Sequence, residues 1–547
     1  MNPIFAIDGY KLSHRSQYPA GTEFVHGNFT PRTNKYFKTP VFENPQLLWA
    51  GAQAFVQGWL IREYENNFFK KPKANVIRQF KTLVESYLGT TVETQWLEDL
   101  HDVGYLPVEI RAIPEGVLVD MKTPVLTIKN TDSRFFWLPT FLETLISAEL
   151  WPVATAASIA FNYRVIAEKF AEETCDNNGH VTWQCHDFSA RGSMGMTANS
   201  LTGMGHMFAF AGTDSVYALH RLRIDYNVLG NPDYLYAGSI PATEHAVMCA
   251  GTQDGEFDTI KRLITEVYPS GIVSVVWDTW DFWKSVEENL PALKAEIMAR
   301  DGKLVIRPDS GDPTDIICGF KVAARFKDEA VASAYMSSSD CDLPDADGWV
   351  VQIGDKYFTY ACFNSTYFPV TEKTESEVKG AIQMLYDIFG GTINSKGYKV
   401  LDPHIGLIYG DSITLERADR ILTLLKEKGF ASSNVVFGIG SYTYQYVTRD
   451  TFGFAMKSTY VVVNGVGRAI QKDPATDSGM KKSMKGLISH QYVDGNWVAT
   501  DDRTEEEAEA TELPIIFCDG QNYRTTDAER VRANVDRAVE KVLETLK

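Results

Sequence analysis

Between residues 180 and 440 the chain repeats one texture, in which a brief apolar run ends in polar residues and a stretch with helical spacing of apolar positions follows. The runs are VTWQCHDF, FAFAGTD, YAGSIPATEH, GIVSVVWD, KLVIRPD, IGLIYGD and NVVFGIG. Between them lie amphipathic stretches such as TWDFWKSVEENLPALKAEIM and SITLERADRILTLLKEKGF, the second stopping at Gly429, a good C-terminal cap. Apolar runs alternating with helices predict parallel strands with crossover helices. Seven such units, without an early glycine fingerprint of the dinucleotide type, predict an irregular, closed α/β barrel rather than an open doubly wound sheet.

The flanks read differently. VEIRAIPEGVLV (108–119) and PVLTIKN (124–130) have strand patterns, and RFFWLPTFLETLISAEL has a helical one. After the last run, STYVVVNGVGRAIQ and HQYVDGNWVAT predict strands and a hairpin with an Asp-Gly turn. TTDAERVRANVDRAVEKVLETLK predicts a closing helix, with Thr526 and Glu529 spaced as a capping box and Val531, Val535, Ala538, Val542 and Leu546 on one stripe. The acidic run EEEAEA (505–510) reads as a solvated face. These patterns predict an α+β domain over 1–180 completed by 450–547, and a barrel domain over 181–449. Residues 320–376 interrupt the barrel pattern and read as an insertion, a small β excursion or lid. No internal repeat or low-complexity tract is present.

A chain of 547 residues exceeds a single ordinary core, which agrees with two domains. With 44% apolar residues and charges of both signs throughout, it is expected to fold as a soluble globular protein. The formal net charge of -18 disfavours nucleic acid and anionic membrane as partners, so an anionic ligand would need a locally basic cleft. The first residues lack a basic segment followed by an apolar core, and no apolar run is long enough to span a bilayer, so a cytoplasmic location is expected. Seven scattered cysteines, never in C-x-x-C spacing, argue against a disulfide framework and against a zinc site.

In an α/β barrel the loops after the strands carry the chemistry, so the polar residues that end each run are the candidates. They are His186, Asp187 and Arg191; Asp214; Glu244 and His245; Asp278 and Asp281; Arg307 and Asp309; Gly410 and Asp411; and Gly438, Gly440 and Ser441, followed by Arg449. Any one of them alone is as well explained by a capping carboxylate or a surface ion pair. As a set they have a common chemistry. Arg191, Arg307 and Arg449 offer forked donors to phosphate oxygens, and FGIGSYT leads into a helix whose backbone N–H groups suit a phosphate. The carboxylates of Asp214, Asp278, Asp309 and Asp411 suit sugar hydroxyls, an amide, a hydrated metal or a developing cation. The mouth is predicted to hold a phosphorylated sugar. The G-x-x-x-x-G-K-[ST] pattern of P-loop nucleotide hydrolases is absent.

IDGYKLSHRSQYP, HDFSARG, GTDS, IPATEH, VSVVWDTWD, IRPDSGDP, YGDSI, FGIGSYTYQYVTRD and QKDP, in this order from about residue 6 to about 490, closely resemble the nicotinamide phosphoribosyltransferase family of type II phosphoribosyltransferases. The resemblance implies transfer of the phosphoribosyl group of 5-phosphoribosyl-1-diphosphate to nicotinamide. It also implies an irregular α/β barrel with a second α+β domain from both chain ends, Mg2+ bound with the diphosphate rather than to protein ligands, and a homodimer with sites at the subunit interface. Carried over, Phe188 stacks on the nicotinamide ring, Tyr10 of the other subunit completes the sandwich, and Arg191 touches the ring amide or the diphosphate. Asp214 accepts from the carboxamide, which favours the amide over the acid. Arg307, Gly410, Asp411, Ser441 and Arg449 match positions that hold the ribose and its phosphates, and Asp278 and Asp309 lie by the reacting sugar. Lys472 and, from the other subunit, Arg32 contact the diphosphate.

For His245 the resemblance implies phosphorylation by ATP that improves substrate binding, with Glu244 orienting its ring. Without the resemblance, a helix-capping histidine is the simpler reading. The chain departs from the family at Ser441 and Tyr442, where a further glycine is common, and in the insertion 320–376, which vertebrate members lack. The alternatives are a nicotinate phosphoribosyltransferase, a catalytically silent binding homologue, and a barrel aldolase or isomerase. The last would need a Schiff-base lysine or a metal triad at a strand end, and the runs present neither.

Overall fold

The computed structural model describes residues 2–226, 235–364, 366–472 and 483–546. Six of the apolar runs form strands: β1 (Cys185–Asp187), β2 (Gly212–Thr213), β3 (Ser270–Val276), β4 (Asp301–Arg307), β5 (Ile405–Tyr409) and β6 (Val435–Ile439). They make one parallel, curled sheet in the order β2-β1-β6-β5-β4-β3. The remaining run, YAGSIPATEH, is not a strand, which corrects the expectation of seven. It crosses between the two edge strands with single bridges, Gly238 to Gly212 and Ala242 to Ser274. Pro241 explains the interruption, because it has no N–H to extend a ladder and only its carbonyl is used, by Ser274 N–H at 2.9 Å.

Helix α1 (Glu143–Thr174) precedes β1; α2 (His245–Ala250) follows the bridging run; α3 (Pro313–Cys318), α4 (Leu415–Glu427) and α5 (Ser441–Gln445) follow β4, β5 and β6; α6 (Ala528–Leu546) is the last helix described. Helices α3, α4 and α5 thus start at the mouth where their strands end. Helix α4 behaves as its pattern predicts: Thr414 caps its first turn, and Leu415, Ala418, Ile421, Leu422 and Leu425 are buried on one side. By length and composition α1 could cross a membrane, but 78% of its most apolar window is buried inside the protein, so it is a core helix.

A second sheet of seven antiparallel strands draws on both ends of the chain, in the order Val466–Ala469, Ala455–Val463, Thr22–Thr30, Leu126–Asn130, Val108–Ala112, Ile515–Cys518, Gln521–Asn522. One apolar cluster runs from this sheet, at Phe29, Ile110 and Phe517, to the parallel sheet, at Val275, Ile306 and Phe437. The hairpin Leu487–Val493/Asn496–Arg503 turns at Asp494 and Gly495 with φ of 50° and 81°, the left-handed pair that an Asp-Gly turn favours.

Three flank details differ from the pattern. Asp527, not Thr526, caps α6, accepting from Arg530 N–H at 2.6 Å, because the Thr526 N–H is turned to Gln53 Oε1 at 3.3 Å. The buried stripe of α6 continues through Val539 and Leu543, while Leu546 is exposed, since a 3.6-residue turn drifts away from a strict four-residue spacing. The acidic run forms a short helix, Glu505–Glu509, whose Glu509 pairs with Arg111 at 3.1 Å and with Lys129 on the second sheet, so it is not only a solvated face. In the insertion, strands Lys321–Phe326, Trp349–Ile353, Lys356–Phe363 and Thr366–Lys373 form a sheet with its own small core around Met336, Leu343, Val351 and Tyr360. Ion pairs Asp347–Arg420 and Lys321–Glu427 tie it to α4.

Candidate active site

Arg307 is the last residue of β4, and its guanidinium lies across the mouth, Nη2 donating to Thr243 O at 2.9 Å with Nε 3.4 Å from Asp309 Oδ1. Asp278, past the end of β3, accepts the N–H groups of Asp309 at 2.8 Å and Ser310 at 2.7 Å on Oδ2. Its Oδ1, together with Asp309 Oδ1 and Arg307 Nε, is buried without a hydrogen-bond partner. The Arg307–Asp309 approach is therefore a charge contact without hydrogen-bond geometry. Burial pushes the Asp309 carboxyl above its ordinary pKa, and Asp278 and Asp411 add to this against Arg307 and His245. Glycine at 410 is required by the packing, since a Cβ there would fall 1.7 Å from Asp309 Oδ1.

His245 joins this group. Its Nε2 is 3.6 Å from Asp309 Oδ2 and its Nδ1 is 3.4 Å from Thr279 Oγ1. Glu244 is exposed, and no bond from its side chain to the ring is made, so the expectation that it orients His245 is corrected: Asp309 and Thr279 face the imidazole. The reason is local. Glu244 is the residue before α2, in extended backbone, while His245 is the first helical residue.

On the opposite side of the mouth, Asp214 follows β2 and receives two donors on one oxygen, His186 Nε2 at 2.8 Å and Ser239 Oγ at 2.5 Å, both to Oδ1. Burial works to raise its pKa, but these two donors and Arg307 outweigh it and hold the carboxyl below the usual range. With a carboxylate as acceptor, Nε2 of His186 carries the proton. The Phe188 ring lies 4.6 Å from that of His186, with the Arg307 guanidinium 5.8 Å from its centre. A Cβ at Gly438 would fall 2.7 Å from the Phe188 ring, so glycine is what admits the ring. Asp187 is fully buried and accepts from Ser189 N–H at 2.9 Å and Ser215 Oγ at 2.7 Å, which makes it the structural anchor of the turn carrying Phe188. Sequence reasoning missed Ser239, which sits inside the broken run where no strand end marked it, and gave His186 no role.

Arg191 is exposed on the loop after β1, which packs on Ser441 so closely that a Cβ at Gly192 would fall 2.1 Å from Ser441 Oγ. Asp411 follows β5, its Oδ1 accepting from Ser412 N–H at 2.7 Å. Arg449 does not join Arg307, although the sequence put them in one series. It sits on a 3-10 turn leading to strand Ala455–Val463 of the second sheet, 3.2 Å from Asp450 Oδ1. Its company is Lys457, which the sequence did not single out. Burial pushes the half-buried Lys457 ammonium down, and Arg32, Lys472 and Arg449 push the same way against Glu143. Tyr10 is 58% exposed, within the field of Arg449. One chain thus places Arg307, Asp278, Asp309 and His245 at the mouth of the parallel sheet, and Arg32, Arg449 and Lys472 within the field of Lys457 beside the second sheet.

A profile described as the Nicotinate phosphoribosyltransferase (NAPRTase) family matches residues 183–513. The chain belongs to this family. Those residues take in all six parallel strands and their mouth loops. Over 547 residues the chain is 42% identical to a protein of Acinetobacter baylyi named nicotinamide phosphoribosyltransferase, covering 99% of this chain and 98% of that one. A protein of the same name from Mycoplasma pneumoniae is 32% identical over 505 residues, 89% of this chain and 95% of the other. The solved structure of human nicotinic acid phosphoribosyltransferase has the same fold, with a TM-score of 0.50 at 14% identity, covering 98% of this chain and 93% of that one.

Among the described residues no group of three His, Cys, Asp or Glu side chains is arranged to hold a metal ion. The partnerless oxygens of Asp278 and Asp309 are instead suited to hydroxyls or to the water shell of a cation that arrives with a charged ligand.

Proposed function

We propose that this NAPRTase-family enzyme transfers the 5-phosphoribosyl group of phosphoribosyl diphosphate to nicotinamide, forming nicotinamide mononucleotide and diphosphate in the salvage of NAD. The observation that carries the choice of base is Asp214. Its Oδ1 is committed to His186 and Ser239, and its carboxyl is held ionised, so the other oxygen accepts a carboxamide N–H2 and repels the carboxylate of nicotinate. The names of the two relatives support the same choice.

In this reading the base stacks on Phe188 beside Asp214, and the donor lies across Arg307, Asp309, Gly410 and Asp411. Departure of diphosphate builds positive charge on the ribose ring, and the carboxylates of Asp278 and Asp309 lie where that charge forms. Arg307 directs its remaining N–H groups at phosphate oxygens. The pyridine nitrogen attacks without losing a proton, so no general base is needed. The partnerless oxygens of Asp278 and Asp309 would hold the water shell of a Mg2+ bound with the donor, which would supply neutralising charge for the diphosphate.

The second half of the site comes from a second copy of the chain. Tyr10, Arg32, Arg449, Lys457 and Lys472 form a basic group with an exposed ring, and the segments that follow β1, β2 and β6 leave Met194, Val216, Tyr442 and Tyr446 exposed at 81%, 75%, 61% and 78%. So much apolar surface beside the mouth calls for a cover, and a dimer supplies it together with cations for diphosphate. ATP stimulates the reaction by phosphorylating His245, whose ring is 47% exposed beside Asp309. The γ-phosphoryl group moves to a ring nitrogen, ADP leaves and the ring proton goes to water.

The test is turnover of labelled nicotinamide and nicotinate, in competition, by the purified protein with phosphoribosyl diphosphate, with and without ATP. Nicotinamide mononucleotide as the main product is expected, with a gain from ATP that His245→Ala abolishes. Preferential consumption of nicotinate overturns the choice of base, and an ATP gain that survives His245→Ala overturns the phosphohistidine.

A further inference from the structure

Asp411 lies on the loop after β5, beside the loop after β4 that carries Asp309. On its N-terminal side the two loops are joined by Gly410 N–H to Pro308 O at 3.1 Å and by Tyr409 O–H to Gly311 O at 2.9 Å. On its C-terminal side the next residue, Ser412, has φ of 63°, a left-handed backbone that residues with a Cβ rarely adopt. The Ser412 N–H is the donor that fixes Asp411 Oδ1. Asp411 is thus followed directly by a residue in an uncommon backbone conformation, which the loop must hold in place.

Arg417, in the first turn of α4, reaches back to this point. Its Nη1 donates to Ser412 O at 2.7 Å, and its Nη2 lies 3.6 Å from Asp312 Oδ2. Asp312 belongs to the other loop, where its Oδ1 caps α3 by accepting from Thr314 N–H at 2.8 Å. One guanidinium thus grips both loops on the far side of Asp411, and α4 itself is fixed by the Thr414 cap that accepts from Arg417 N–H.

We propose that Arg417 is a positioning residue for the phosphoribosyl donor: by joining Ser412 O to Asp312 it holds Asp411 in place to receive the ribose. This rests on the donor proposed above, and touches neither the base pocket nor the transfer step. Its side chain is 39% exposed, so its removal is expected to leave the fold intact.

The experiment measures binding of phosphoribosyl diphosphate by calorimetry and steady-state kinetics for R417M, R417K and R417M/S412G. R417M is expected to weaken donor binding and raise donor KM about fivefold, with R417K in between. The kcat and the nicotinamide KM are expected to stay within about twofold. Glycine at 412 accepts the left-handed backbone freely, so R417M/S412G recovers part of the loss. Unchanged donor affinity in R417M overturns the proposal, as does an equal fall in kcat accompanied by a lower melting temperature. Because calorimetry reads the donor alone, a wild-type protein that binds donor but prefers nicotinate defeats the choice of base and leaves Arg417 standing. A wild-type protein that does not bind the donor overturns both.

Discussion

The two sides of the mouth are built on opposite principles. On the side of Phe188 the carboxylates are paired: Asp214 Oδ1 takes two donors, and Asp187 takes donors from Ser189 and Ser215. On the side of Arg307 polar atoms are left open, with Asp278 Oδ1, Asp309 Oδ1 and Arg307 Nε all buried and unpartnered. A pocket for a small neutral base needs one carboxylate held in a fixed pose. A pocket for a polyanion with a cationic transition state needs unspent charge of both signs, which costs stability until the ligand supplies partners.

The strongest challenge to this contrast is to remove the open side's cation. Arg307→Gln is expected to lower kcat/KM for the donor by roughly 100- to 1000-fold, as loss of a preorganised charged donor does, and steady-state kinetics at varied donor checks it. A loss confined to nicotinamide KM would assign Arg307 to the wrong side. Next in size, Asp214→Asn is expected to reduce the preference for nicotinamide over nicotinate by about 10- to 100-fold, measured as product ratio in competition, while donor KM stays unchanged.

The smallest effect concerns stability, where the two aspartates should differ in sign. The Asp309 carboxyl is raised by burial, so its charge destabilises the fold above its folded pKa and the cost is relieved as pH falls through that value. The Asp214 carboxyl is depressed, so it contributes stability that is present above its unfolded pKa and lost as pH falls through its folded one. Asp309→Asn is therefore expected to raise the melting temperature at neutral pH by roughly 1–2 °C and Asp214→Asn to lower it by a similar amount, both differences shrinking in acid. Scanning calorimetry at two pH values decides, and shifts of the same sign would break the comparison.

Much of the parallel sheet was legible because a strand buried on both faces writes itself as an unbroken apolar run, as in IGLIYGD and NVVFGIG. The run YAGSIPATEH carried the same signature and became a bridging segment, because Pro241 removes a donor that periodicity does not count. His245 was found by its place at the end of that run, and the residues facing it, Asp309 and Thr279, were not paired with it, since they come from the ends of other strands. Lys457 was hidden for a related reason: it sits in the strand pattern AMKSTYVVV, and its significance lies only in having Arg32, Arg449 and Lys472 around it.

The sequence by itself determined the alternation of strand and helix, and which polar residues stand at the ends of the strands, because local periodicity and turn chemistry are properties of neighbours in the chain. Only the tertiary structure decided which of those residues meet. It brought Arg307, Asp278, Asp309 and His245 together and sent Arg449 to the second sheet, because strand order and loop conformation follow from burial of a core shared by segments hundreds of residues apart.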